Sequence, residues 1–249
     1  MKSAIDVKNI SVRYHQKVVL EDATASVPKG SICGLVGMNG AGKSTLFKAI
    51  MNAVPTLGGT VRLDGYTVKV AQKKGVVAYV PQTEAVDWEF PVSVRDVVMM
   101  GRYGFMNILR RPNANDEVLV TKAIERVHLA DFADRQVGQL SGGQRKRVFV
   151  ARALAQGASI LLLDEPFAGV DAKTEASLVE LLKELQSQGI TTLIAAHDLA
   201  TIGSYCDHII LLKGRVIAAG PTKKVFTQAN IALTYDSVFG VKGKLPWMS

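Results

Sequence analysis

The chain has 249 residues, 48% of them hydrophobic and 21% charged, which is enough for a sizeable core in one large domain or two small ones. The longest apolar runs, "ILLLDE" and "ITTLIAA", fall well short of the ~18 residues of a membrane span, and "MKSAIDVKNI" has no hydrophobic signal core, so the chain is expected to stay in the cytoplasm. Two cysteines exclude a disulfide framework, no Cys/His cluster has metal-ligand spacing, and a net charge of +8 calls for anionic partners: phosphates, an acidic membrane surface or nucleic acid. The basic residues are dispersed, apart from "RR" at 110–111 and "RKR" at 145–147, which argues against nucleic acid.

In chain order, "AIDVKNISVRY" and "KVVLEDATASV" alternate as two strands, and Pro28, Lys29 and Gly30 make a turn. "SICGLVG" then reads as a short buried strand, followed by the glycine-rich "GMNGAGKST" and a helix starting near Lys43. Residues 58–68 read as a hairpin around Asp64 and Gly65, and 75–82 as a buried strand. From about 93 to 156 the pattern turns helical, with Val118, Ile124 and Val127 as apolar positions of one mixed helix. "SILLLDEP" is a further buried strand. "KTEASLVELLKELQSQG" is an amphipathic helix with Leu178, Leu181, Leu182 and Leu185 on one face, closed by Gly189. "ITTLIAAH", "DHIILLKG" and "RVIAAG" read as strands, and "KGKLPWMS" as a weakly anchored tail. Cys33 and Cys206, in strand and helix context, read as buried free thiols. The alternation of strands and helices predicts a largely parallel α/β sheet with an antiparallel sheet packed beside it.

Three segments carry chemistry. Gly37, Gly42, Lys43 and Ser44 fit G-x-x-x-x-G-K-[ST], a loop whose backbone N–H groups cradle phosphate. The lysine reaches the terminal phosphates, the serine hydroxyl binds Mg²⁺, and the following helix presents its positive dipole end. "ILLLDEP" brings Asp164 and Glu165 to the carboxyl end of a strand, where ligands bind in open α/β sheets. Asp164 is placed to hold Mg²⁺ and Glu165 to polarise an attacking water. "LSGGQ", 140–144, opens a helix and makes a second anion site.

With these motifs the sequence resembles the nucleotide-binding subunits of ABC transporters over roughly residues 3–240. "GMNGAGKST" resembles their Walker A motif, which makes Gly37, Asn39, Gly40, Ala41, Gly42, Lys43, Ser44 and Thr45 the nucleotide loop. "ILLLDEP" resembles Walker B and "LSGGQ" the signature motif, with Ser141, Gly142, Gly143 and Gln144 facing the ATP of a partner cassette. Tyr14 resembles the aromatic that stacks on adenine, Gln82 the Q-loop glutamine that senses Mg²⁺ and water, Asp171 the D-loop aspartate and His197 the switch histidine. Glu165, His197 and Gln82 then form the catalytic set, and Ser44, Gln82 and Asp164 the Mg²⁺ set.

The resemblance implies a RecA-like P-loop NTPase core, about 1–92 and 157–220, with an antiparallel β subdomain, an inserted helical subdomain at about 93–156 and a C-terminal extension at about 221–249. It also implies ATP and Mg²⁺ as ligands, a head-to-tail homodimer, a separate membrane permease and a peripheral position on the cytoplasmic face of the membrane. "VDWEFPVSVRDVVMMGRYG" resembles importers of manganese, iron and zinc that receive metal from an extracytoplasmic binding protein, with manganese or iron ahead of zinc. The segment 82–91, with Glu84, Asp87, Trp88 and Glu89, is the expected permease contact, against the plainer reading of an acidic loop around a half-buried tryptophan. A translation or repair ATPase would need two cassettes or a long coiled coil. Exporters of the rival kind often fuse cassette to membrane domain, and a P-loop kinase or GTPase leaves "LSGGQ" unexplained.

Overall fold

The computed structural model describes residues 2–82, 91–196 and 199–235. β1 (Ser3–Tyr14) and β2 (Lys17–Pro28) pair antiparallel. Their alternation buries Ile5, Val7 and Val12 opposite Leu20, Ala25 and Val27. β3 (Ile32–Val36) leads into α1 (Lys43–Ile50). The expected hairpin forms from β4 (Gly58–Leu63) and β5 (Tyr66–Thr67). Asp64 and Gly65 take φ of 52° and 82°, the left-handed pair that a two-residue hairpin turn requires. β4 also pairs with β1, completing an antiparallel sheet in the order β2-β1-β4-β5.

Two local expectations are corrected. The hairpin ends at Thr67, and the residues that follow form the short helix α2 (Val68–Lys73). "VKV" alternates like a strand, but Val70 is exposed and only Ala71 is buried, so the alternation marks no core face. The second correction falls in the next block, which comprises β6 (Val77–Val80), α3 (Val94–Met99), a 3₁₀ segment (Met100–Phe105) and α4 (Ala114–Arg126). In α4 Val118 is exposed, while Asp116, Val120, Ala123 and Ile124 are buried. Asp116 is drawn inward by an arginine, a long-range partner that no apolar period reveals.

Two further 3₁₀ turns (Ala130–Phe132 and Val137–Gln139) precede α5 (Gly142–Ala155). Then come β7 (Ile160–Asp164), α6 (Ala172–Ser187), β8 (Thr191–Ala196), α7 (Leu199–Tyr205), β9 (His208–Leu212), β10 (Val216–Pro221), α8 (Thr222–Val225) and α9 (Gln228–Thr234). The predicted leucine face of α6 is buried, and Gly189, at φ 85°, follows its C-cap. The short α7, α8 and α9 are not among the expected elements.

The second sheet runs β10-β9-β3-β8-β7-β6 and is parallel except for β10. Its central strands β3, β8 and β7 are buried along their whole length because both faces are covered. On β7, Leu161 and Leu163 join a core shared with α3, α4, α5 and α6. Ile160 and Leu162 join the core shared with α1 and the antiparallel sheet. This layering brings the carboxyl ends of β3, β7 and β8 together on one edge, where the candidate residues collect.

Cys33 lies within β3 and Cys206 directly after α7, both buried. Burial pushes both thiols well above the ordinary range. Ellman's reagent is therefore expected to label neither thiol in the native chain and both after denaturation. Rapid labelling of the native protein would contradict this.

Candidate active site

The loop between β3 and α1 has its shape for steric reasons. A Cβ on Gly37 would lie 2.3 Å from the Leu212 carbonyl oxygen, so only glycine fits. Gly42, at φ 100°, is the N-cap of α1 and supplies no capping side chain, which leaves the helix start available to an anion. Lys43 is 6% exposed, and its Nζ donates to the Gly37 and Met38 carbonyls at 2.8 and 3.2 Å. Burial lowers its pKa, while Glu165 and Asp164 act in the opposite direction. The ammonium is thus held over the loop with two carboxylates in its field. Asn39 and Gly40 are exposed at the loop tip, Ala41 is buried, and Ser44 and Thr45 open the first turn of α1.

The loop is tied to its surroundings through the backbone. Gly214 N–H donates to the Ala41 carbonyl at 2.9 Å, and Glu21 N–H donates to the Gly214 carbonyl at 2.7 Å. A Cβ on Gly42 would meet the Val19 carbonyl at 3.3 Å, so the start of β2 packs against the loop. Tyr14, paired with Lys17 across the β1–β2 turn and 37% exposed, stands on the same hairpin end.

Asp164 closes β7 beside Ala195 of β8 and is 5% exposed. One of its oxygens accepts from the Tyr79 hydroxyl at 3.0 Å. Glu165 follows at φ 48°, an uncommon conformation for a non-glycine residue. Its N–H donates to the Ala195 carbonyl at 3.0 Å, which pins the turn. Its carboxylate accepts from Gln82 Nε2 at 2.8 Å, joining residues 83 apart in sequence. Gln82 and Glu165 line a cavity of about 370 Å³ with Phe167, Glu175, Thr201 and Tyr205. Thr201 Oγ1 donates to Glu175 there at 2.9 Å, linking α6 to α7.

Ser141 is the N-cap of α5. Its hydroxyl accepts from Gln144 N–H at 3.3 Å, and Gln144 Oε1 accepts from Ser141 N–H at 3.0 Å, a reciprocal capping box. Gly142 faces open space, whereas a Cβ on Gly143 would meet Thr174 at 2.1 Å. One turn on, Lys146 Nζ donates to the Gln82 carbonyl at 3.4 Å and Arg147 donates to the Ser177 carbonyl of α6 at 3.2 Å. The helix that carries the signature residues is therefore joined to both Gln82 and α6. Asp171 caps α6, accepting from Thr174 N–H and Oγ1, both at 2.9 Å. These hydrogen bonds hold its carboxyl below the usual range. His197 and residues 84–89 lie outside the described residues, as does the tail from 236 onward.

Sequence reasoning missed Tyr79, Glu175, Thr201 and Lys146. Tyr79 had a signal: a tyrosine in an otherwise apolar strand needs a partner for its hydroxyl. The other three make contacts with residues remote in sequence.

A phosphate loop between strand and helix, with a carboxylate pair at the end of a neighbouring strand, defines a P-loop nucleotide hydrolase. The chain belongs to the ABC transporter family, whose model matches residues 20–168. It is similar to the manganese transport system ATP-binding protein MntA of Synechocystis, 52% identical over 98% of this chain and 92% of the relative. It is also similar to the zinc transport system ATP-binding protein TroB of Treponema pallidum, 46% identical over 93% and 86%. Among solved structures it resembles a metal-chelate type ABC transporter in an inward-facing conformation, with a TM-score of 0.82 and 27% identity over 94% of this chain and 89% of that one. An ATP-binding cassette in its ADP conformation superposes with a TM-score of 0.84, 25% identity, and 95% and 100% coverage. The chain is thus an ATP-binding cassette of the transport-coupled ATPase family.

Proposed function

We propose that this chain is the ATP-hydrolysing subunit of an importer for a divalent metal, manganese or iron ahead of zinc. Relatives named for manganese, chelated-iron and zinc transport support the metal class. Support for the chemistry rests on one observation, the Gln82 amide at 2.8 Å from the Glu165 carboxylate. In this reading Glu165 accepts the proton of the attacking water, Gln82 orients its carboxylate, and His197 meets the terminal phosphate. Lys43 leaves the Gly37 and Met38 carbonyls for the phosphates of ATP, and Tyr14 stacks on adenine. The hydroxyl of Ser44, the amide oxygen of Gln82 and the Asp164 oxygen not given to Tyr79 are hard donors that suit Mg²⁺, and would hold it. When bound, the ion neutralises phosphate charge and aligns the terminal phosphoryl group.

The helical block 93–156 acts as a subdomain that presents Ser141, Gly142, Gly143 and Gln144 to the ATP of a second copy, with Asp171 at the same dimer seam. Segment 82–91 carries the motion to a separate permease, with Trp88 as anchor. An extracytoplasmic binding protein delivers the metal, and nucleic acid has no part. Among the described residues no helix is long and apolar enough to cross a membrane. In this reading the cassette sits peripherally on the cytoplasmic face, held there by the permease. Cells in which Lys43→Ala replaces the native chain should lose manganese or iron accumulation, and tagged wild type should bring down a multi-span membrane protein. Normal uptake of these metals in that variant would refute the reading.

The composite site has its own test. Ser141→Arg should leave ATP binding by the same chain intact but reduce hydrolysis to the level of an isolated subunit. Gly142 faces open space, so the added cation can reach out over the helix start, and loss of the Ser141 cap costs only about 1 kcal/mol. Hydrolysis per subunit that is independent of both this change and protein concentration would exclude a two-subunit site.

A further inference from the structure

The segment between the 3₁₀ turn Met100–Phe105 and α4 takes no part in the site. Its composition is one-sided. From 106 to 113 it reads "MNILRRPN", with two arginines and no acid. Ile108 is 100% exposed and Leu109 70% exposed, adjacent at the tip of a turn closed by Arg110 N–H donating to the Asn107 carbonyl at 2.9 Å. Arg110, at φ 47°, packs its guanidinium 5.3 Å from the Tyr103 ring, which steadies the base of the knuckle. Arg111 is exposed beside it. Behind the knuckle the mostly covered Arg102 pairs with buried Asp116, so this part of the loop is anchored from within.

Two adjacent, largely exposed aliphatic side chains form an apolar point that covering would stabilise. We propose that residues 105–111 dip into an anionic lipid surface, with Ile108 and Leu109 entering the headgroup boundary and Arg110 and Arg111 meeting lipid phosphates. Charge decides between lipid and permease. Cytoplasmic loops of membrane proteins carry an excess of Lys and Arg, which an arginine pair would repel. An anionic leaflet attracts it. The acidic segment with Glu84, Asp87 and Glu89 has the charge that suits a basic permease loop. The two neighbouring segments thus sort by sign, one to protein and one to lipid. The inference rests on the peripheral membrane position proposed above, and it adds a second contact that keeps the cassette oriented while its dimer opens.

The buried thiols make the test selective, because a cysteine placed at Ile108 is the one reactive thiol among the described cysteines. Full-length Ile108→Cys, labelled with an environment-sensitive fluorophore, is mixed with vesicles of phosphatidylglycerol and phosphatidylcholine, and with pure phosphatidylcholine. A blue shift on the anionic vesicles, reversed by salt and absent on the neutral ones, is expected. Removing both arginines (Arg110→Ser with Arg111→Ser) should weaken partitioning at least tenfold. Leu109→Ser in the labelled chain should weaken it while leaving ATP hydrolysis unchanged, which shows that the fold is intact. No shift on any anionic vesicle, or a shift only when permease is reconstituted, would overturn the proposal. Neither outcome touches the transport reading, which the pull-down and the uptake assay test separately.

Discussion

Glu165→Gln should bind MgATP normally and hydrolyse it roughly 10²–10⁴-fold more slowly, the usual cost of losing a positioned general base. The substitution is close to isosteric. Glu165 stands at φ 48° with its N–H on the Ala195 carbonyl, and glutamine keeps that backbone arrangement. What changes is the contact with Gln82. The carboxylate accepts from Gln82 Nε2 at 2.8 Å, and the amide oxygen of a glutamine can still accept there, but it cannot take a proton from water. Asp164 keeps its Tyr79 partner, so the Mg²⁺ donor set and ATP affinity should survive. Binding without turnover should trap the closed dimer, visible by size-exclusion chromatography with ATP and absent with ADP. Purified Glu165→Gln with wild-type turnover would remove Glu165 from the base role. Turnover lost together with ATP affinity would point instead to a collapsed loop, because the Glu165 carboxylate also lies in the field of Lys43.

How far the sequence reaches depends on how local each feature is. The phosphate loop was legible because its constraints lie within a few residues: Gly42 needs φ 100° and Lys43 returns to the carbonyl of Gly37. The leucine face of α6 and the Asp64–Gly65 turn were legible for the same reason. Asp171 was read through resemblance as the D-loop aspartate, yet its local signal was plain. An aspartate three residues before a threonine at a helix start is an N-cap, and its carboxylate bonds Thr174. The hairpin read to residue 68 overran by one residue, because Val68 suits a strand by type yet opens the short helix α2. The contacts of Gln82 with Glu165 and of Lys146 with Gln82 cross the chain by 83 and 64 residues, and no periodicity encodes them. The ion pair inside the helical block escaped entirely, although it carries the second large expected effect.

Asp116→Ala should cost about 3–5 kcal/mol of stability, the range for breaking one side of a buried ion pair. The side chains of Arg102 and Asp116 are 11% and 3% exposed and meet at 2.9 Å. Asp116 has a second duty, since its other oxygen accepts from Asn113 N–H at 3.0 Å and so completes the capping box of α4. Truncation removes both contacts and leaves a guanidinium with the Ala155 carbonyl at 3.1 Å and the Phe105 ring at 4.5 Å. A loss of that size corresponds to a fall in melting temperature of roughly 6–20 °C for a domain of this length. The sign with pH follows from the same contacts. The Asn113 N–H and then Arg102 hold the Asp116 carboxyl below its ordinary value. Its contribution is therefore complete above the unfolded carboxylate pKa and is lost as pH falls through the folded one, so the gap between wild type and Asp116→Ala should narrow in acid. Replacing the pair together (Arg102→Met with Asp116→Leu) should recover much of the stability, because no unpaired charge remains buried. If Asp116→Ala melts within 2 °C of wild type at neutral pH, the pair is not what anchors the 3₁₀ segment to α4. The knuckle at 105–111 would then have to be held by Arg110 on Tyr103 alone.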